Sequence, residues 1–109
     1  MARFDGKSVL VTGGGSGIGR RRRFRHAAAR EYIADGIRIN AVSPGPTDTP
    51  MSLRPGETEA DRAARLKTAL PIGRVGALEE VASAVLWLAS PDAGFAVGHD
   101  LVVDGGASA

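Results

Sequence analysis

The apolar positions of this chain change their period along its length, and those changes divide it into short elements. Ser8-Val9-Leu10-Val11 is an apolar, partly β-branched run inside residues 7–12 and predicts a strand. From Arg20 to Ala34 the pattern becomes helical, with Phe24, Ala28 and Tyr32 four apart on one face and Ala27 beside them. Asp35-Gly36 stops that helix, glycine being the usual terminator. Ile37 to Val42 predicts a second strand, broken by Ser43-Pro44-Gly45-Pro46. Pro55-Gly56 introduces a helix from about Glu57 to Thr68, and Pro71 ends it. Leu78 to Ala89 predicts a further helix, with Val81, Ala82, Val85, Leu86 and Ala89 on one side and Pro91 closing it. Leu101-Val102-Val103 reads as a short buried strand, ended by Asp104-Gly105-Gly106. The order β-α-β-α-α-β argues for an α/β layer fold in which about three parallel strands are covered by helices.

Composition narrows this picture. A chain of 109 residues suits one small domain, here residues 1–109. Only 5% of it is aromatic, so the core is expected to be modest. Without cysteine the chain has no disulfide and no thiolate chemistry, which suits a reducing compartment. The N-terminus has no signal-peptide pattern, and no apolar run approaches the ~20 residues that span a bilayer. These features predict a cytoplasmic protein without a membrane contact.

Charge changes the picture at one place. The net charge is only +2, yet Arg20, Arg21, Arg22, Arg23 and Arg25 nearly adjoin, with His26 beside them. Such a run can bind a polyanion, form a solvated helix face, or be the scar of a sequence rearrangement. Cations in a first helical turn oppose the helix dipole by roughly 0.3–1 kcal/mol each when exposed. A solvated face or a scar is the favoured reading; help with a phosphate comes second, and nucleic acid is an unlikely partner.

The candidate chemistry begins at Thr12-Gly13-Gly14-Gly15-Ser16-Gly17-Ile18-Gly19, between the first strand and the first helix. A strand that runs into a glycine-rich turn and a helix opens a dinucleotide-binding βαβ unit. Gly13 permits the sharp turn, the glycines allow a pyrophosphate to approach the backbone, and Gly19 allows close packing of helix on strand. Free N–H groups and the positive end of the helix then face the phosphates, and Ser16 can add a hydroxyl donor. The expected cofactor is NAD or NADP. Asp35 has nearly the spacing of an acidic ribose contact, but it precedes the second strand and so sits at the wrong edge of a parallel sheet.

These motifs together resemble the short-chain dehydrogenase/reductase family. Thr12 to Gly19 are similar to its Thr-Gly-x-x-x-Gly-x-Gly; Arg38-Ile39-Asn40-Ala41-Val42-Ser43-Pro44-Gly45 are similar to its late strand and Pro-Gly turn. Thr49 falls where that motif carries a threonine, and Pro71 to Gly76, the helix after them and Leu101 to Gly106 are similar to the C-terminal third. The resemblance implies a reduced Rossmann-like fold, with cofactor contacts from Gly13, Ser16, Gly17, Ile18 and Gly19 and from Pro44, Gly45, Thr47 and Thr49. Around Thr47 and Thr49 it implies a segment that binds the nicotinamide carboxamide. It also implies a homo-oligomer, whose interface uses the Leu78–Ala89 helix, with Trp87, and the 101–103 strand.

The same resemblance exposes a gap. The sequence passes from the start of the family's first helix to the end of the helix before its sixth strand. The catalytic serine and the Tyr-x-x-x-Lys pair that supply its proton are not found. Tyr32 is the only tyrosine, and Gly36, not a lysine, stands four residues on. Its alignment with Phe24 and Ala28 predicts packing at the core or its edge. Lys67 lies on another helix, while Asn40 and Ser43 are expected to be structural. His26 and His99 have no partner pattern, and no metal-ligand spacing exists. In the family's first and sixth strands two others intervene; here the strands must become neighbours or a second chain must fill the gap. Ala77-Leu78 stands where Thr-Pro is usual, a lost hydroxyl cap that typically costs ~1 kcal/mol.

Three functions remain open. The chain is a remnant with residual dinucleotide affinity and no catalytic residue of its own; or its site is completed by another polypeptide, or it is a deleted form of an active enzyme; or it is an interaction protein with a basic polyanion-binding helix.

Overall fold

The structure, a computed structural model, describes residues 7–12 and 18–109. Its elements are β1 (Ser8–Thr12), α1 (Ile18–Tyr32), β2 (Arg38–Pro44), α2 (Glu59–Ala69), α3 (Leu78–Ala89) and β3 (Asp100–Val103). Short 3-10 turns cover Ile33–Asp35, Pro50–Ser52 and Pro91–Ala93. The three strands form one parallel sheet in the order β1-β2-β3. This is the reduced Rossmann-like α/β arrangement that the sequence pattern predicts. β1 and β2 are direct neighbours, with Ser8 beside Arg38 and Thr12 beside Val42, so no second chain is required between them.

The sheet is covered on both faces. Ile37 and Ile39 pack against Ala29 of α1, with Ala28 at the edge. Val42 packs on the other face against Leu88 of α3 and Ala93, beside Val81, Val85, Leu101 and Val103. Alternate residues of β2 therefore meet different helices, as the pleat requires. Both connections step the same way across the sheet but lie on opposite faces, so the two crossovers have opposite hands. The right-handed rule holds for nearly all such units.

Several element ends differ from the sequence expectation for local reasons. β2 continues through Pro44, which lies beside Val103, because Gly45 takes up the next hydrogen bond, donating its N–H to the Val103 carbonyl at 3.0 Å. α2 starts at Glu59, since Thr58 caps it: Asp61 N–H donates to Thr58 Oγ1, and Thr58 N–H donates to the Asp61 carboxylate. That reciprocal box satisfies two end groups at once. At α3 the missing hydroxyl is half replaced, because Ala77 N–H donates to Glu80 Oε1 at 3.0 Å.

Over residues 25–32 of α1 the buried positions are Arg25 and Ala29, with Ala28 packed beside them, whereas Tyr32 is 43% exposed. Phe24 lies outside the residues whose side chains are described. Contact with β2 selects that face. Gly98 comes close enough that a Cβ there would lie 3.4 Å from the Ala29 methyl. Arg25 is no solvated cation: its Nε donates to the Gly98 carbonyl, and a guanidinium nitrogen lies 3.9 Å from Asp100.

Two polar side chains of β2 fix the far side of the fold. Arg38 donates from Nη1 to the Leu88, Ala93 and Ala96 carbonyls and from Nη2 to that of Ser90. It thereby occupies carbonyls at the end of α3 that the helix cannot pair internally. Asn40, fully buried, donates to the Ala96 carbonyl at 2.9 Å and accepts from His99 N–H at 2.9 Å. Asn40→Ala leaves the His99 N–H without its partner and the Ala96 carbonyl with only the longer bond from Arg38, an expected loss of about 1–3 kcal/mol. Urea unfolding followed by far-UV circular dichroism measures it. A change within error would show that the Ala96–His99 segment does not depend on Asn40.

Candidate functional site

A cleft of about 740 Å³ opens where the chain leaves β2. Pro44, Gly45, Pro46, Thr47 and Thr49 line one side, and Leu78, Val81 and Ala82 of α3 line the other; Met51, Ser52 and Arg65 complete it. It lies at the carboxyl end of a parallel strand, the edge at which open α/β sheets place their ligands. β1 ends at the same edge, because Thr12 stands beside Val42 two residues before Pro44.

Gly45 is required there by close approach. A Cβ on it would lie 2.7 Å from Asp104 Cα, so any side chain would push the Pro-Gly loop off the turn after β3. Thr47 Oγ1 donates to the Gly45 carbonyl at 2.9 Å. The loop is sewn to the segment before α3 by Gly76 N–H on Pro46 O and Asp48 N–H on Gly76 O, both 2.8 Å. The hydroxyl of Thr49 makes no hydrogen bond among the described residues, and Thr49 lines the cleft.

Two arginines of α2, one helical turn apart, hold the loop from below. Arg62 is 5% exposed; it donates from Nη2 to Asp48 Oδ1 at 2.8 Å and from Nη1 to Ser52 Oγ at 2.9 Å. Arg65 grips Glu57 through two bonds of 2.8 Å each and donates to the Ser52 carbonyl at 3.0 Å. The Arg65 guanidinium holds the Glu57 carboxyl down at about 2. Arg74 does the same to Glu80, also down at about 2, at the start of α3. With its charge balanced, Arg65 offers the cleft a wall and no strong anion site.

The predicted cofactor residues divide into two sets. Pro44, Gly45, Thr47 and Thr49 stand together on one wall. Gly13, Ser16 and Gly17 lie outside the described residues. Ile18 and Gly19 open α1 directly after them. Sequence reasoning missed Met51, Ser52, Arg65 and the α3 wall. An arginine pair one turn apart beside Leu66 was the available signal for the α2 clamp.

None of the alternative catalytic candidates reaches the cleft. Tyr32 ends α1, which leads into the start of β2; six residue steps of strand, roughly 20 Å, separate that edge from Pro44. Ser43 donates to Asp100 Oδ1 at 2.8 Å, and Asn40 is spent on the backbone of the 96–99 segment. Among the described residues no group of His, Asp and Glu is placed to hold a metal.

Comparison with known proteins agrees with this architecture. The family described as enoyl-(acyl carrier protein) reductase matches residues 22–108. The cis-4-hydroxycyclohexanecarboxylate dehydrogenase of Sinomonas cyclohexanicum is 50% identical over 84 residues, which are 76% of this chain and 32% of that protein. A short-chain dehydrogenase/reductase from Serratia marcescens superposes with a TM-score of 0.78 at 34% identity, over 96% of this chain and 47% of that one. The structure of BdcA in complex with NADPH superposes with a TM-score of 0.77 at 30% identity, over 93% of this chain and 46% of that one. The chain belongs to the short-chain dehydrogenase/reductase family, and it spans 29–32% of the length of the curated relatives it matches.

The Glu57 and Glu80 pairs make the cleft walls sensitive to acid. Both carboxyls sit at about 2 in the folded protein against an ordinary 4.5. A lowered folded value gives stability that is present above 4.5 and lost as the pH falls toward 2. The melting temperature should therefore be flat above pH 5 and decline through that window. Glu57→Gln should lower it at neutral pH and make the acid decline shallower, as thermal unfolding at stepped pH will read. An unchanged slope would mean that the Arg65–Glu57 pair does not hold the loop.

Proposed function

We propose that this chain is a shortened short-chain dehydrogenase/reductase relative, a single Rossmann-like domain, that keeps affinity for NAD or NADP and has no oxidoreductase turnover of its own. The observation that carries this reading is the separation of its parts. The Pro44–Thr49 wall stands at the carboxyl edge of the sheet, and the only tyrosine stands at the opposite edge.

The cleft fits the nicotinamide end of such a cofactor. Pro44, Pro46 and Val81 are suited to the faces of a flat ring, and Thr47 and Thr49 offer hydroxyls to a carboxamide. Gly45 lets the backbone approach. Gly13, Ser16, Gly17, Ile18 and Gly19 take the phosphates in this reading. The cofactor, when bound, supplies hydride chemistry. The chain's own groups bind and orient, but none of the described ones is placed to move a proton at that edge, and proton transfer of this kind is worth orders of magnitude in rate. NADPH in BdcA supports the cofactor class by family likeness.

Titration calorimetry with NAD and NADP should show binding by the wild type, and Gly17→Val should weaken it about tenfold or more, ~1.4 kcal/mol. Equal heats for the two proteins would remove the phosphate cradle from this reading. Incubation with either cofactor and a panel of secondary alcohols should give no rise in reduced nicotinamide absorbance; turnover would overturn the catalytic silence.

The partner in this reading is the chain itself. Leu78, Leu86 and Trp87 on α3, Phe95, and Val102 on β3 are all exposed, a set of large apolar side chains of the kind that marks an interaction surface. Leu86→Glu should shift the mass found by light scattering toward the monomer. An unchanged oligomer would place the contact elsewhere.

A further inference from the structure

The two edges of the sheet differ in what they offer to another strand. We propose that the free edge of β1 is a second self-association site, at which two copies pair antiparallel about a two-fold axis through Leu10. This contact is separate from the apolar surface of α3 and does not rest on cofactor binding.

The argument starts from the hydrogen-bond phase of the ladder. Arg38 N–H donates to the Lys7 carbonyl at 3.1 Å. In a parallel pair the residues of one strand alternate between facing the partner and facing away. Lys7, Val9 and Val11 therefore turn their backbone groups toward β2, and Ser8, Leu10 and Thr12 turn theirs toward the open side. Among the described residues no strand pairs with that side. Its sequence, Ser-Val-Leu-Val-Thr, holds no charge and no proline. Those are among the devices that usually blunt an exposed edge.

A second copy of β1 fits this edge. Antiparallel pairing about Leu10 sets Leu10 against Leu10 of the other copy and Ser8 against its Thr12 as the hydrogen-bonded pairs. Every outward N–H and carbonyl of the strand then meets a counterpart, and no charge faces another within the five residues. Such an isologous contact closes at two and does not propagate from that edge.

β3 is the control within the same molecule. Ala41 N–H donates to His99 O, and Gly45 N–H donates to Val103 O, so Asp100, Val102 and Asp104 turn their backbone groups outward. The equivalent self-pairing about Val102 would set Asp100 against Asp104 twice. Like charges directly opposed across a ladder are destabilising. Strand pairing between copies is thus favoured at β1 and resisted at β3, where contact through side chains is the remaining mode.

The register can be tested because the chain has no cysteine of its own. The proposed axis makes Val9 and Val11 of opposite copies the close, non-hydrogen-bonded pair, with Cα atoms about 4.5 Å apart, within disulfide reach. Val9→Cys and Val11→Cys are prepared separately, then co-refolded and mildly oxidised. Non-reducing electrophoresis should show a linked dimer from the mixture and little from either variant alone. A mixture that stays unlinked, or either variant linking as readily alone, overturns the proposal. Sedimentation of the unmodified protein is the companion measurement. Concentration-dependent self-association is expected, and Leu86→Glu, which removes the α3 contact, should still leave a dimer; a monomer at all concentrations overturns the site without any substitution.

Discussion

Arg38 and Asn40 direct their side-chain hydrogen bonds to backbone on a distant part of the chain, and the rest of the fold depends on that arrangement. The guanidinium of Arg38 reaches four carbonyls between Leu88 and Ala96, and the amide of Asn40 clasps Ala96 and His99. The segment between α3 and β3 contains no long element of its own. The carbonyls of Leu88, Ser90 and Ala93 have one local or hydroxyl donor each, and these side chains add a long-range bond, each worth about 0.5–1.5 kcal/mol. With them, the end of α3 and the start of β3 are fixed to the central strand. Leu88 then seats on Val42, and the α3 wall of the cleft takes its place.

A second set of contacts carries that order to the loop beside the cleft. The loop after β2 is held from one side by the turn after β3, which Gly45 lets approach, and from another by Arg62 and Arg65 of α2. These clamps use charged groups because the loop's own backbone makes few regular pairs. They leave the apolar residues of α3 and the threonines of the loop facing a common space. The cleft is thus a consequence of polar clamping around an apolar gap.

The joining of β1 to β2 has consequences of its own. α1 covers one face of the sheet and α3 the other, yet among the described residues three strands lie between them. A sheet this narrow has a large share of edge. One edge ends in aspartates and the other is uncharged, so the two behave differently toward other strands. The basic run that interrupts the family pattern is partly absorbed, since Arg25 serves as a tether between α1 and the start of β3.

Much of this was legible along the chain. The β-branched run at 8–11, the apolar periodicity of 78–89 and the Pro and Gly punctuation placed every element to within a few residues, because period and turn chemistry are local properties. The Pro-Gly break at 44–46 was legible as the loop after β2 for the same reason; that it lines a cleft is seen in the structure. Tertiary structure alone decided that Tyr32 stays exposed at the far edge and that Arg25 is buried. It also decided that Arg62 and Arg65 hold the loop and that α3 supplies the opposite wall. Each of these joins residues distant in sequence, through contacts that exist only once the sheet has brought them together. A helical period shows that a helix has an apolar face; which way that face turns is set by what the sheet presents to it.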